Sequence, residues 1–170
     1  MGTLALWATP TGLRRLGFHS GPDLARPGEA LASGPPPDHV ARTLDALRGY
    51  FAGEVRTFDL PLDLHHVTAF QRRVYERLQK IPYGHVVTYG DVARDIGESP
   101  GAARAVGQAV GANPVAIVTP CHRVVASDGS LAGYGGGLTR KATLLRLEGV
   151  EVEGSRRSSK VHPEVLRLPL

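Results

Sequence analysis

A chain of 170 residues with 42% hydrophobic residues is sized for one ordinary domain or two small ones, and it holds no apolar run near the roughly 20 residues that cross a bilayer. Its single cysteine excludes an internal disulfide and a cysteine-built zinc site, which leaves Cys121 as inert filling or as a reagent. The formal charge of +4 is uneven: residues 1–66 carry 6 Lys+Arg against 7 Asp+Glu, and residues 67–170 carry 14 against 9, so the second part is basic enough to face phosphates.

The opening MGTLALWATP has neither a basic leader nor a long apolar core, and Leu6 stands where a myristoylation signal needs Ser or Thr. A protein kept inside the cell is expected. Leu4 to Ala8 and Gly12 to Phe18 read as short strands joined by a Thr-Pro-Thr-Gly turn. A Pro/Gly-rich loop follows over 21–37. Asp38 then caps a helix whose Val40, Leu44, Leu47 and Phe51 recur every three to four residues, and Phe58 to Leu62 reads as another strand.

The pattern changes at Leu64 to Val67, where the domain boundary is expected. Thr68 and Gln71 form a capping box that opens a helix carrying Phe70, Val74, Tyr75 and Leu78 on one side; Ile81-Pro82-Tyr83-Gly84 closes it. Thr88 caps a helix from Tyr89 to Ile96, and Ser99-Pro100 opens a second one running to about Gly111. Helix, Gly-containing turn and helix give the outline of a helix-turn-helix, or of any helical hairpin. The second helix is almost stripped of bulk by Ala102, Ala103, Ala105, Gly107, Ala109 and Gly111 around Arg104. Such a surface suits tight helix packing, and it also suits close approach to a minor groove about 6 Å wide.

Asn113-Pro114 ends that helix, and Val115 to Thr119 reads as a buried extended run leading to Pro120-Cys121-His122-Arg123-Val124. A glycine- and serine-rich stretch from Ser127 to Gly137 surrounds Tyr134. A last helix is predicted from Thr139 to Leu147, with Gly149 ending it and a loose basic tail from Ser155. An ordinary thiol with a pKa near 8.5 is only slightly ionised at pH 7, so a nucleophilic Cys121 needs a base or positive field nearby. His122 is adjacent in sequence, which does not make the two side chains meet; a bridging water and an orienting carboxylate would be needed.

These motifs together resemble the O6-alkylguanine-DNA alkyltransferases, the methylated-DNA–protein-cysteine methyltransferases. The resemblance runs from Thr68 to Val150 through Phe70-Gln71, Ile81-Pro82-Tyr83-Gly84, Thr88-Tyr89-Gly90, Ala103-Arg104-Ala105-Val106-Gly107, Asn113-Pro114, Pro120-Cys121-His122-Arg123-Val124, Tyr134-Gly135-Gly136-Gly137-Leu138 and Leu144-Leu145-Arg146-Leu147-Glu148-Gly149. Residues 1–63 match only in layout.

The resemblance implies an α+β protein: a small ribonuclease-H-like α/β domain (1–66), a mainly helical domain with a helix-turn-helix (67–154), and a tail (155–170). It implies transfer of an alkyl group from O6-alkylguanine, and from O4-alkylthymine, in double-stranded DNA to Cys121, once per molecule, with no metal and no cofactor. The DNA would be met through its minor groove with the damaged base flipped out, by a monomer that could act cooperatively, in the cytoplasm or nucleoid or in a nucleus.

In that reading His122 is the base, Glu148 holds it, Asn113 braces the nucleophile turn, and Tyr89 donates to the departing guanine. Arg104 fills the stack, with Ala103 beside it. Tyr134 and Gly135 shape the lid, with the Gly135 N–H close to O6, and Arg123 and Val124 contact the substrate, the Cys121 and Val124 carbonyls reading the exocyclic amine. Some members carry Pro where this chain has Ala116. Two other readings use the same residues: a lesion sensor without transfer, whose known forms lack the cysteine, and a Cys-His hydrolase, which leaves Arg104 and the helix pair unexplained.

Overall fold

The computed structural model describes residues 2–18 and 38–161; the loop expected over 21–37 and the end of the chain lie outside the described residues. The described part is a mixed α/β fold of five α-helices and two small sheets. Strands β1 (Leu4–Thr9) and β2 (Gly12–Phe18) form the predicted antiparallel hairpin. The other edge of β2 is used twice: Leu13 N–H donates to the Pro61 carbonyl at 2.8 Å, and Leu16 N–H to the Pro114 carbonyl at 2.9 Å. The strand expected over Phe58 to Leu62 shrinks to one bridge between Leu13 and Leu62. Pro61 has no N–H to continue a ladder.

Helix α1 (Asp38–Phe51) forms where predicted, but it buries Thr43, Leu47 and Tyr50, and Leu44 is 44% exposed. The helix is turned to send Tyr50 inward, where its hydroxyl has a partner described below. Helix α2 (Ala69–Gln79) opens with the predicted capping box: Thr68 Oγ1 accepts from Gln71 N–H and the Gln71 side chain accepts from Thr68 N–H. Strand β3 (Val87–Thr88) leads into α3 (Tyr89–Asp95), which has a second box made by Thr88 and Asp91. The helix expected from Pro100 starts instead as a 3-10 turn, Pro100–Ala102, and becomes α4 at Ala103–Gly111. Helix α5 covers Leu138–Leu147.

Three apolar clusters hold these elements. Val74, Tyr75 and Leu78 of α2 meet Val92 and Ala93 of α3 and Val106, Ala109 and Val110 of α4, and Cys121 sits in the same cluster. A second cluster joins both ends of the sequence, with Leu13, Leu16, Leu47 and Tyr50 against Val115, Ile117, Val118 and Leu144. At roughly 1.5–3 kcal/mol for each large side chain fully buried, this shared cluster couples the hairpin and α1 firmly to the later helices. The third lies under α5 and includes Leu131, Leu145, Val152 and Val161.

That last cluster corrects the expected loose tail from Ser155. Leu131 N–H donates to the Ser159 carbonyl at 2.9 Å, Val161 N–H donates to the Gly129 carbonyl at 3.0 Å, and Val161 is buried. Burying Val152 and Val161 together gives the basic stretch between them a reason to fold back. Among the described residues no helix is long and apolar enough to cross a membrane.

Candidate active site

Strand β4 (Val124–Val125) pairs in parallel with β3, placing the start of α3 beside the turn that carries Cys121. The residues before that turn do not form the extended run expected from sequence. Thr119 N–H donates to the Val115 carbonyl at 3.0 Å, Val118 N–H to the Ala116 carbonyl at 2.9 Å, and Ile117 adopts a φ of +72°. A β-branched residue at positive φ is held there at a cost of about 1–3 kcal/mol, and such strain collects where a side chain must be presented accurately. Asn113 secures both ends of the turn: its Oδ1 accepts from Val115 N–H at 3.1 Å and its Nδ2 donates to the Thr119 carbonyl at 2.8 Å. Cys121 then begins a 3-10 turn over Cys121–Arg123.

The Cys121 thiol borders a cavity of about 150 Å³, shared with Asn113, Ala116, Tyr134 and Gly135 and closed on one side by β2. Burial pushes the Cys121 pKa up; the Asn113 amide and the Lys141 charge act the other way without reversing the direction. Burial equally lowers the pKa of the fully buried His122, against the pull of Glu148. The pair therefore rests as thiol and neutral imidazole.

Glu148 decides which imidazole nitrogen is available. Burial alone would raise its pKa, yet hydrogen bonds from His122 and Arg123 and the charge of Arg123 bring it down to about 2. Its ionised carboxylate can only accept, so His122 Nε2, at 2.7 Å from Oε1, carries the proton and donates it. The lone pair is thereby left on Nδ1, a buried atom with no hydrogen-bond partner among the described residues. No direct hydrogen bond links it to Cys121.

The same carboxylate is held from four other directions. Oε1 accepts from Tyr50 Oη at 2.7 Å and Arg123 Nη2 at 2.9 Å; Oε2 accepts from Arg123 Nε at 2.8 Å and Gly84 N–H at 3.3 Å. Gly84 is at φ +78°, and a Cβ there would lie 2.9 Å from the Glu148 carbonyl, so only glycine brings its N–H this close.

A model of the 6-O-methylguanine DNA methyltransferase DNA-binding domain matches residues 69–150. A methylated-DNA–protein-cysteine methyltransferase of Mycolicibacterium paratuberculosis is 57% identical over 112 residues, spanning 66% of this chain and 67% of that protein. The chain belongs to this family. Among solved structures, the Mycobacterium tuberculosis family member in complex with DNA superposes with a TM-score of 0.74 at 42% identity, covering 87% of this chain and 89% of that one. An S. pombe protein solved in complex with damaged DNA containing O6-carboxymethylguanine matches at 39% identity and a TM-score of 0.51, covering 59% of this chain and 95% of that one.

Not every residue singled out from the methyltransferase motifs lies at the cavity. Tyr89, the first residue of α3, packs its ring against Gly107, and burial raises its pKa, with the charge of Cys121 adding to the effect. Arg104 is exposed on α4 and makes no ion pair among the described residues, and Ala103 is half-buried next to it. The buried Tyr134 hydroxyl has no partner of ordinary geometry among the described residues and lies beside the Cys121 thiol. Arg123 is a correction to the sequence reading. It is buried, spends Nε and Nη2 on Glu148 and Nη1 on the Ile81 carbonyl at 2.5 Å, and is not among the residues lining the Cys121 cavity.

Two buried residues that bear on this site escaped the sequence reading. Tyr50 meets Glu148 across 98 positions, which no local pattern reports. Lys141 lies on the apolar stripe of α5, three residues after Leu138 and three before Leu144, and a charge in such a stripe is a readable signal. Its Nζ donates to the carbonyls of Val124 at 2.5 Å, Leu131 at 2.6 Å and Gly133 at 3.3 Å, tying the nucleophile turn to the loop before Tyr134. Burial brings its pKa down to about 8, opposed by Cys121. Lys141→Met should leave those carbonyls unpaired and lower the unfolding free energy by about 2 kcal/mol, read from urea melts at pH 7. An unchanged midpoint would show that they find other donors.

Proposed function

We propose that this protein repairs alkylated DNA by transferring the alkyl group from O6 of guanine, and from O4 of thymine, to Cys121, irreversibly and once per molecule. The observation that carries the reading is the 2.7 Å His122–Glu148 contact, which leaves Nδ1 as an uncommitted base in the same buried site as the thiol. Water relays the thiol proton to Nδ1, the sulfur attacks the alkyl carbon, and the carbon–oxygen bond breaks as the carbon–sulfur bond forms. The electron pair leaves with the base, and Tyr89, kept protonated by its raised pKa, donates to it. The product is a thioether that none of these side chains can cleave. The reading requires neither metal nor cofactor.

The DNA side of the proposal rests on α3 and α4, read as a helix-turn-helix that presents α4 to the minor groove. Exposed Ala105, Gln108 and Gly111 keep that face low, and Arg104 projects from it. The reactive atom lies inside the base stack, so the base must flip outward, and Arg104 fills the gap. The hairpin and α1 are assigned to a ribonuclease-H-like N-terminal domain ending near residue 66. The protein acts as a monomer wherever the cell keeps its DNA. The Val124 carbonyl, although engaged by Lys141, keeps a second lone pair for the exocyclic amine of guanine, and the Gly135 N–H serves O6.

Intact-mass measurement after incubation with a duplex holding one O6-methylguanine tests the reaction directly. A gain of one methylene per molecule, saturating at one equivalent and absent in Cys121→Ala, is expected. Tight lesion binding without a gain would favour the sensor reading instead. Arg104→Ala should slow repair in duplex by about tenfold or more, because unstacking costs a few kcal/mol, while reaction with a free modified base changes little. Equal losses on both substrates would remove Arg104 from the stack-filling role.

A further inference from the structure

We propose that Phe18, the last residue of β2, sets the size of alkyl group that the Cys121 cavity accepts. The inference rests on the alkyl-transfer reading and adds to it a specificity residue from the N-terminal hairpin, outside the motif-bearing part of the chain.

The cavity beside Cys121 is closed by Phe18 on one wall and by Tyr134 and Gly136 on another. The Phe18 and Tyr134 rings meet edge to face, with centroids 6.3 Å apart and planes at 64°. Their junction has no spare room: a Cβ placed on Gly136 would lie 2.6 Å from Phe18 Cδ2 and 2.7 Å from Tyr134 Cε1. Arg140 holds the wall from outside. Its guanidinium lies 4.9 Å from the centre of the Phe18 ring, and its Nη1 donates to the Gly136 carbonyl at 2.9 Å. Phe18 is thus wedged between a cation and the lid, and its ring cannot swing aside without breaking both contacts.

Size decides the consequence. The cavity holds about 150 Å³, below the roughly 300 Å³ at which pockets for drug-sized ligands begin, and Phe18 and Tyr134 are the aromatic side chains among those lining it, so Phe18 is placed to limit a benzyl group. Ala116, which also lines the cavity, is already small. Phe18 is therefore the bulky group whose removal enlarges the space without touching the nucleophile, its base or the residues that hold them.

Rates of covalent mass gain for wild type, Phe18→Leu and Phe18→Ala, with free O6-benzylguanine and with a duplex containing O6-methylguanine, test this. The benzyl-to-methyl rate ratio is expected to rise at least tenfold in Phe18→Ala, with Phe18→Leu between the two. A merely supporting role for Phe18 would lower both rates together and leave the ratio where it was; that result, or no benzyl transfer by any of the three, overturns the inference alone. A wild type that gains no methyl from the duplex overturns the alkyl-transfer reading, and the inference with it.

Discussion

Glu148→Gln should cost the protein about 3–5 kcal/mol of stability and slow alkyl transfer by at least a hundredfold, the largest stability loss expected from a single conservative change at this site. Five donors from Tyr50, Gly84, His122 and Arg123 converge on its two oxygens, and the Arg123 guanidinium is buried with it. A glutamine of the same length keeps one acceptor, turns an amide NH2 toward other donors, and leaves a buried guanidinium without its counterion. The same change lets the imidazole choose its tautomer, so the lone pair is no longer fixed on Nδ1.

The pH dependence has a definite sign. Burial raises the Glu148 pKa, but His122 and Arg123 outweigh it and bring the folded value to about 2 from an ordinary 4.5. A depressed carboxylate contributes stability above its unfolded pKa and loses it as pH falls through the folded one. Wild type should therefore lose on the order of 3 kcal/mol between pH 4.5 and 2 from this group alone. Glu148→Gln should be weaker at pH 7 and lack that part of the acid loss. Urea melts at pH 7 and pH 3 would refute the account if the two proteins differed by less than 1 kcal/mol at pH 7.

The contrast between Glu148 and Tyr50 shows what the sequence could carry. Glu148 follows a periodic helix directly and belongs to a recognisable motif, so its place at the end of α5 and its pairing with His122 were both legible. Tyr50 stands off the stripe of Val40, Leu44, Leu47 and Phe51 read from the sequence, and the rotation of α1 that buries it depends on a partner 98 positions away. The capping box at Thr68 and the cap at Thr88 were legible because they close within three residues. The turn at Ile117 was not. A run of Val, Ile and Thr favours extended backbone, and only the hydrogen bonds of Asn113 and the packing of Ile117 in the shared cluster hold it in a conformation that its own propensity opposes. Arg123 was read as a substrate contact because it stands in the Pro-Cys-His-Arg-Val motif, whereas its side chain is buried against the Glu148 carboxylate.

His122→Gln should reduce alkyl transfer at pH 7 by about 10²–10⁴-fold and change the shape of its pH dependence. In wild type the base is already neutral at pH 7, because burial holds the His122 pKa below its ordinary 6.5. The rate should therefore stay level as pH falls through 6.5 and decline only in more acidic solution, where Nδ1 takes up a proton. Without the imidazole, the reaction depends on the fraction of Cys121 already ionised. Burial pushes that pKa above the ordinary thiol value, so the residual rate should climb about tenfold per pH unit from 7 upward. Single-turnover rates on an O6-methylguanine duplex across this range separate the two regimes. A variant with the level profile of wild type would mean that His122 does not take the thiol proton; a wild type that climbs with the variant would mean that the reacting species is a preformed thiolate, and that the Glu148-fixed tautomer has no part in making it.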